Sequence, residues 1–178
     1  EKNKAYYADN LEEAMREETR RFFNHVLLGN RNLLEFVDSD YTFLNGALAR
    51  HYGIPGVNSE SFDKVSLRPE HNRGGLLGHG SILTATSNGV ETQPVVRGVW
   101  VLENLLGTPP SPPPPDVDPI EPDTRGVSTM RELMEKHRNN PTCFECHRKI
   151  DPLGLAMEKY DHVGAWRDRY AKRLPIDG

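Results

Sequence analysis

The chain has 178 residues, which is room for one domain of ordinary size or two small ones. Its 22 Lys and Arg against 26 Asp and Glu give a formal net charge of −4, which argues against nucleic-acid binding and against a polybasic membrane patch. No stretch approaches the roughly 18 consecutive apolar residues that a membrane helix needs, and two cysteines are too few for a disulfide-dense scaffold.

The N-terminal part of the sequence predicts two helices. The clearer one spans residues 9–29, where apolar residues recur at helical spacing and Gly29 can end the helix. The face predicted to be buried consists of Leu11, Ala14, Met15, Phe22, Phe23, Val26 and Leu27. A second helix is predicted from about Asp40 to His51. Its inward residues are Tyr41, Leu44 and Leu48.

The middle of the sequence differs from the N-terminal part in composition. Residues 58–89 are rich in glycine, and four glycines lie within five residues of His79. The run Ser81 to Ser87 alternates and is rich in β-formers, which predicts a short strand. Residues 95–106 then predict a helix that Gly107 ends.

Residues 109–122 form a segment that we call the Pro-rich strap. Eight of its 14 residues are proline, which removes too many N–H donors for a helix or a sheet. We expect an extended polyproline conformation. The simpler interpretation is a strap lying across its own protein, and the alternative is a segment that recruits a proline-binding partner.

The residues after the strap predict two helices with a short motif between them. A capping-box pattern opens a helix over residues 129–140, and Pro141 stops it. A further helix is predicted over residues 152–160, with Asp151 as its cap.

Between these helices lies the run Cys143-Phe-Glu-Cys146-His147. Covalent haem attachment needs two thiols spaced to reach the two vinyl groups of one porphyrin, and a ligand held against the iron. The run supplies all three groups in five residues. It therefore predicts one covalently attached haem c, with thioethers at Cys143 and Cys146 and with His147 as the proximal iron ligand.

Three alternatives stay open for this motif. A structural zinc site wants four ligands, and with no second cysteine pair the fourth would come from a distant His. A thioredoxin-like redox pair expects a βαβ setting, whereas this motif follows a predicted helix. The third alternative is two unreactive cysteines at a chance spacing.

The sixth iron ligand decides much of the chemistry. Met or His there gives an electron carrier, and an open position gives a site for peroxide or small ligands. The main candidate is His137, one turn before the motif, although a His near a helix C-terminus also suits the helix dipole. Met157 and His79 are weaker candidates, since a Met at helical spacing is more often core and a loop His more often makes only hydrogen bonds.

Haem propionates are anionic, so cationic and hydrogen-bonding side chains near the motif are candidates to bind them. These candidates are Arg148, Arg167 and Trp166, followed by Lys149, Arg97 and Arg138. The alternative for each is a solvated surface charge.

The run from Cys143 to Arg167, with its Ile-Asp-Pro-Leu-Gly and Val-Gly-Ala-Trp-Arg segments, resembles the C-terminal region of the planctomycete-type cytochrome c family. Further runs that match the family in the same order are Asp40–Asn45, Leu48–Gly53, Arg73–Leu77, Pro94–Gly98, Trp100–Glu103 and Pro109–Pro115. Among the distal candidates, the family pattern favours His137.

Members of this family are large exported proteins built from several domains. The resemblance therefore implies a haem c protein of the periplasm or cell surface, joined to the remainder of a longer multi-domain parent chain. The absence of an initiator Met and of a signal peptide at the start of the sequence agrees with that expectation. The resemblance implies no substrate.

We accordingly expect a mainly α protein, with a helical c-type cytochrome-like haem domain, a preceding helical segment and a small β or irregular middle region. Residues 1–57 would complete a helical domain. Residues 58–125 would form a Gly-rich wall segment, a helix and the Pro-rich strap. Residues 126–178 would bind the haem.

The expected function is electron transfer by one haem c, with a redox partner protein that the sequence does not identify. Two alternatives stay open. One is a haem enzyme, peroxidase-like, with an open sixth position. The other is a scaffold or binding module in which the haem is structural and a cell-surface partner is engaged. Electron transfer is favoured over catalysis, and no nucleic acid is expected.

Overall fold

The computed structural model describes residues 2–112, 131–132, 134–135, 141–170 and 176. The chain forms two compact units. Unit 1 comprises Glu1–Glu91 with Tyr160–Trp166, and unit 2 comprises Thr92–Lys159 with Arg167–Gly178. The structure is mainly α-helical with one small sheet, which confirms the predicted fold class at that level. The three-part division at residues 58 and 126 stays a prediction about the sequence.

Unit 1 contains four helices and two strands among its described residues. In chain order these are α1 Lys2–Ala8, α2 Leu11–Leu28, β1 Tyr41–Leu44, α3 Gly46–Tyr52, β2 Asp63–Ser66 and α4 Gly80–Ala85, with short 3₁₀ turns at Leu33–Phe36, Pro69–His71 and Leu76–Gly78. The predicted helix over residues 9–29 is confirmed as α2, and Gly29 follows its last residue.

The single helix predicted over residues 40–51 is wrong in its first half. Tyr41–Leu44 is strand β1, which pairs antiparallel with β2 so that Tyr41 lies opposite Ser66. The side chain of Asn45 then accepts a hydrogen bond of 2.9 Å from the backbone N–H of Leu48 and opens α3. The chain changes from strand to helix at this cap, because the β-forming Tyr-Thr-Phe run finds a partner strand about 20 residues later.

The strand predicted at Ser81–Ser87 is also wrong, because Gly80–Ala85 forms helix α4. Two hydroxyl groups at its end bond back to helix carbonyls. Thr86 donates to the Ile82 oxygen at 2.7 Å and Ser87 donates to the Leu83 oxygen at 2.7 Å. Tertiary burial of Leu83 and these local bonds outweigh the β-propensity of the run.

The apolar core of unit 1 forms between α2, β1 and α3. Its buried members are Leu11, Ala14, Met15, Leu44, Leu48, Ala49, Tyr52, Ile54 and Leu67. Two residues predicted for the buried face of α2 are instead substantially exposed, Phe23 at 45% and Leu27 at 54%. They lie beside the buried Phe22 and Val26, one residue further round the helix, where the apolar stripe extends past the edge of the core.

A buried carboxylate on α2 is satisfied by hydroxyl groups from two other elements. Glu18 accepts hydrogen bonds from Thr42 Oγ1 at 2.7 Å and from the Tyr52 hydroxyl at 2.6 Å. The same Tyr52 oxygen accepts the backbone N–H of Gly80 at 2.8 Å. The guanidinium of Arg73 stacks over the Tyr52 ring at 3.4 Å. The network therefore links α2, β1, α3 and the start of α4.

Unit 2 contains two long helices among its described residues, α5 Pro94–Asn104 and α6 Pro141–Leu155. The helix predicted over residues 95–106 is confirmed as α5. The separate helix predicted over residues 152–160 is wrong, because one helix runs from Pro141 through the cysteine motif to Leu155. Pro141 occupies the first position of α6, where a missing N–H costs nothing. Pro152 is inside α6 and leaves the carbonyl of Arg148, an exposed residue, without its helical bond.

Helices α5 and α6 approach so closely that two glycines are needed. A Cβ atom on Gly154 would overlap the carbonyl of Pro94, and one on Gly98 would overlap the carbonyl of Ile150. The backbones of the two helices are therefore in direct contact at both glycines. Within the described part of the chain, no helix is both long and apolar enough to cross a membrane.

Candidate functional site

The first half of α6 places the three motif residues on one helix face. Cys146 and His147 follow Cys143 by three and four positions, and helical residues at those spacings lie on the same face as the first. Neither cysteine forms a disulfide, and both are partly exposed. The intervening Phe144 and Glu145 are exposed. The helix thus presents two thiols and one imidazole as a group.

A buried carboxylate holds the imidazole of His147. Asp151 lies one helical turn later, is fully buried, and its Oδ1 is 2.8 Å from His147 Nδ1. The His147 side chain is only 16% exposed. A metal-bound His ordinarily donates its second ring N–H to such a partner, which fixes the tautomer and the ring orientation. With Nδ1 held by Asp151, an iron ligand on this ring would be Nε2.

The position of Asp151 differs from the predicted one. It was predicted to cap a helix starting at Pro152, whereas it lies inside α6 and contacts His147. The sequence feature that indicates this contact is the spacing of four positions between His147 and Asp151, at which side chains on a helix meet. Pro152 indicated a helix boundary between these two residues and the following segment, so the sequence did not predict their contact on one helix.

The donor set in this structure fits the attachment of haem c. Two thiols outside any disulfide, one turn apart, lie beside an imidazole whose Nδ1 already has a carboxylate partner. By contrast, no group of three or more His, Cys, Asp or Glu side chains among the described residues is arranged to hold a metal ion directly.

Of the predicted propionate partners, Arg148 and Arg167 lie in unit 2. Arg148 is exposed, and its Nε is 3.2 Å from a Glu145 carboxylate oxygen on the same helix. Arg167 is bound in a buried cluster, where its Nη2 donates to Glu158 Oε2 at 3.2 Å and to the Glu158 backbone oxygen at 3.0 Å. Trp166 belongs to unit 1, where its ring packs edge-on against Tyr160 at 5.1 Å. Haem contacts by these residues stay a prediction.

The cluster around Glu158 is built from charged and hydroxyl groups. Glu158 Oε2 accepts bonds from Thr92 at 2.9 Å and from the Tyr170 hydroxyl at 3.2 Å. Its Oε1 lies 3.7 Å from Arg97 Nη1. Burial raises the pKa of Glu158 above its ordinary value of 4.5, against the opposing pull of Arg97 and the other donors. Arg97 is thus buried beside this carboxylate, and a haem contact by it stays a prediction.

The three distal candidates have different surroundings. His79 is buried in unit 1, its Nδ1 lies 2.9 Å from Thr19 Oγ1, and its ring packs edge-on against Phe22 at 4.9 Å. Burial lowers the pKa of His79 below its ordinary value of 6.5. Met157 is buried in unit 2, and its backbone oxygen accepts a bond of 2.8 Å from Arg97. His137 lies outside the described residues.

Unit 1 also contains an open cleft of about 460 Å³ that the sequence analysis did not anticipate. Its charged lining comprises Arg31, Arg68, Arg73, Glu35, Asp38 and Asp40. Several of these groups satisfy each other or the backbone. Arg31 pairs with Glu35 at 2.7 Å, and Arg73 donates to the carbonyls of Gly78 and Gly164. The lining carries three cationic and three anionic side chains.

The chain belongs to a family defined by its sequence. Residues 73–170, more than half of the chain, match the family PSCyt3, described as "Protein of unknown function (DUF1588)". The chain is therefore a member of that family. Residues 1–54 match the family PSD4, described as "Protein of unknown function (DUF1592)". No curated protein and no solved structure matches the chain.

Proposed function

We propose that this chain carries one haem c on helix α6 and transfers single electrons outside the cytoplasm. The observation that carries the proposal is the placement of Cys143, Cys146 and His147 on one face of α6, with His147 held by Asp151. When bound, the haem supplies a ferric/ferrous couple whose potential the protein sets through ligands, hydrogen bonds and burial.

The chain's own residues have separate roles in this proposal. Each cysteine Sγ would hold the haem through a thioether to one vinyl group, with the thiol hydrogen on the adjacent vinyl carbon, so attachment would need no oxidant or reductant. His147 provides Nε2 as the proximal ligand. Asp151 keeps the imidazole in the tautomer that leaves its lone pair on Nε2.

The location and partner follow from this chemistry and from the resemblance in sequence. Haem c is attached on the outer side of the membrane, so the site of action is the periplasm or the cell surface. The partner is a redox protein that exchanges one electron with the haem. The parent chain and a cell-surface partner would bring that protein close.

The test is maturation of the chain in the presence of a c-type haem attachment system. The intact protein should gain the mass of one haem, and a pyridine haemochrome assay should report haem c. A Cys143→Ala/Cys146→Ala variant should remain without covalent haem, whereas Glu103→Ala, an exposed change on α5, should mature like the unsubstituted protein. If the protein without substitutions stayed colourless and kept its unmodified mass, the proposal would be refuted.

A second candidate function is a haem enzyme with an open sixth position. The observation that favours it is the buried carboxylate on His147, because a more basic proximal ligand stabilises the ferric state that reacts with peroxide. A high-spin ferric spectrum that changes on addition of cyanide or peroxide would support the enzyme. An unreactive low-spin spectrum would support the electron carrier.

A further inference from the structure

We infer that Asp151 is a positioning residue that fixes the Nδ1–H tautomer of His147 and lowers the reduction potential of the iron bound there. This inference rests on the proposed haem attachment. It deepens that proposal, because it assigns to the site a low-potential couple, which is suited to donating electrons.

The geometry of α6 keeps this contact in place. Asp151 follows His147 by four positions, so both side chains lie on the same helix face. The 2.8 Å separation of Nδ1 and Oδ1 is that of a charge-assisted hydrogen bond. Both residues are on one continuous helix, and no loop needs to close to bring them together.

Burial makes this carboxylate effective. Asp151 has no exposed surface, so bulk water does not screen its charge from the ring. A carboxylate on Nδ1–H pulls the proton towards itself and leaves more electron density on the imidazole, which strengthens Nε2 as a donor. A stronger donor stabilises Fe(III) relative to Fe(II), and the midpoint potential falls.

The residue type matters more than the hydrogen bond itself. A neutral amide oxygen in the same position still accepts the Nδ1–H bond and still orients the ring. It does not place a negative charge there. Asp151→Asn therefore separates the electronic effect from the orientation, and Asp151→Ala removes both.

Glu145 offers a matched control for the loss of charge. It lies on α6, two positions before His147, and is exposed with Arg148 as its partner. Glu145→Gln removes one negative charge near the motif, but solvent screens that charge.

The first experiment is redox titration of the matured proteins with mediators and dithionite, which adds one electron to each ferric haem. Asp151→Asn should shift the ferric/ferrous equilibrium about tenfold towards the ferrous state, about 59 mV for a one-electron couple. Glu145→Gln should leave the potential near that of the parent protein. Equal shifts in the two variants, or none in Asp151→Asn, would overturn the inference.

The second experiment uses the chain without haem, so it remains informative if a variant folds poorly. Long-range ¹⁵N–¹H NMR correlations of the His147 ring, recorded where the imidazole is neutral, should show the proton on Nδ1 in the parent protein. A proton on Nε2 would overturn the inference even if haem attaches. An Nδ1 proton in a chain that never takes up haem would instead leave the tautomer assignment standing and refute the proposed function.

Discussion

In unit 1 the buried carboxylate of Glu18 receives hydrogen bonds from two hydroxyl groups, whereas in unit 2 the buried carboxylate of Glu158 faces the guanidinium groups of Arg97 and Arg167. Unit 1 surrounds its carboxylate with an apolar core drawn from helices and a strand. Unit 2 relies on close backbone packing between two helices. The comparison indicates that unit 2, which carries the cysteine motif, depends more on balanced charge and on two glycines.

The chain offers a way to follow the two units separately. It has two tryptophans, Trp100 in unit 2 and Trp166 in unit 1. In a Trp166→Phe background, Trp100 fluorescence reports on unit 2. In a Trp100→Phe background, Trp166 fluorescence reports on unit 1. Urea unfolding in these two backgrounds measures the stability of each unit.

The largest effect is expected for Arg97→Met, which should destabilise unit 2 by about 3–5 kcal/mol. The change removes a buried cation that lies 3.7 Å from Glu158 and donates to the Met157 carbonyl. Trp100 fluorescence in the Trp166→Phe background reports the loss. Adding Glu158→Gln should recover part of it, because the remaining carboxylate would otherwise stay buried with only one of its two neighbouring guanidinium groups.

The control for this prediction is Arg148→Met. Arg148 forms an exposed ion pair with Glu145, and such pairs contribute about 0–1 kcal/mol. If Arg97→Met proved as mild as Arg148→Met, the importance assigned to buried charge in unit 2 would be wrong.

An intermediate effect is expected for Gly154→Ala, about 1–3 kcal/mol of destabilisation in unit 2. The new methyl group would overlap the Pro94 carbonyl and force α5 away from α6. This cost should exceed the roughly 1 kcal/mol that Ala otherwise contributes in a helix interior. Glu103→Ala, an exposed change on α5, should stay within about 0.5 kcal/mol of the parent. A more stable Gly154→Ala protein would contradict the close packing.

The smallest effect is an opposite pH dependence in the two units. The pKa of His79 in folded unit 1 is below 6.5, so the unfolded chain binds more protons and stability is lost as the pH falls below about 6.5. The pKa of Glu158 in folded unit 2 is above 4.5, so its contribution is favourable below 4.5 and is lost as the pH rises through the folded-state pKa. A pKa difference of 1 corresponds to about 1.4 kcal/mol.

Two variants isolate these contributions from the other titrating groups. Subtracting the stability profile of His79→Gln from that of the parent should leave a curve that rises with pH in unit 1. The same subtraction with Glu158→Gln should leave one that falls with pH in unit 2. If both difference curves rose with pH, or both fell, the expected difference in pH dependence between the units would be wrong.

Local patterns predicted much of the fold. The periodicity of residues 9–29 identified α2, and that of residues 95–106 identified α5. Tyr41, Leu44 and Leu48 were correctly expected to be buried even though their helix was wrong at its start. On β1, Tyr41 and Leu44 are three positions apart and point to opposite faces, and both are buried because both faces of the strand are covered. The sequence pattern does not separate this arrangement from a helix with one buried face, and the pairing of β1 with β2 does.

The site was predictable in its reactive groups and not in their support. Cys143, Cys146 and His147 follow from spacing alone, because the motif is local. The contact from Asp151 depends on α6 continuing through Pro152, and the proline argued against that continuation. The surroundings of His79 could not be predicted either, since its hydrogen-bond partner Thr19 is 60 residues earlier in the chain.

The sequence by itself determined which residues carry the chemistry, because two thiols and an imidazole in five residues need no long-range contact to be identified. It also determined that the chain is mainly helical. The tertiary structure decided which carboxylate holds the imidazole, which charges are buried together and where backbone meets backbone. Those outcomes depend on packing between segments far apart in the chain, and local spacing carries no information about such packing.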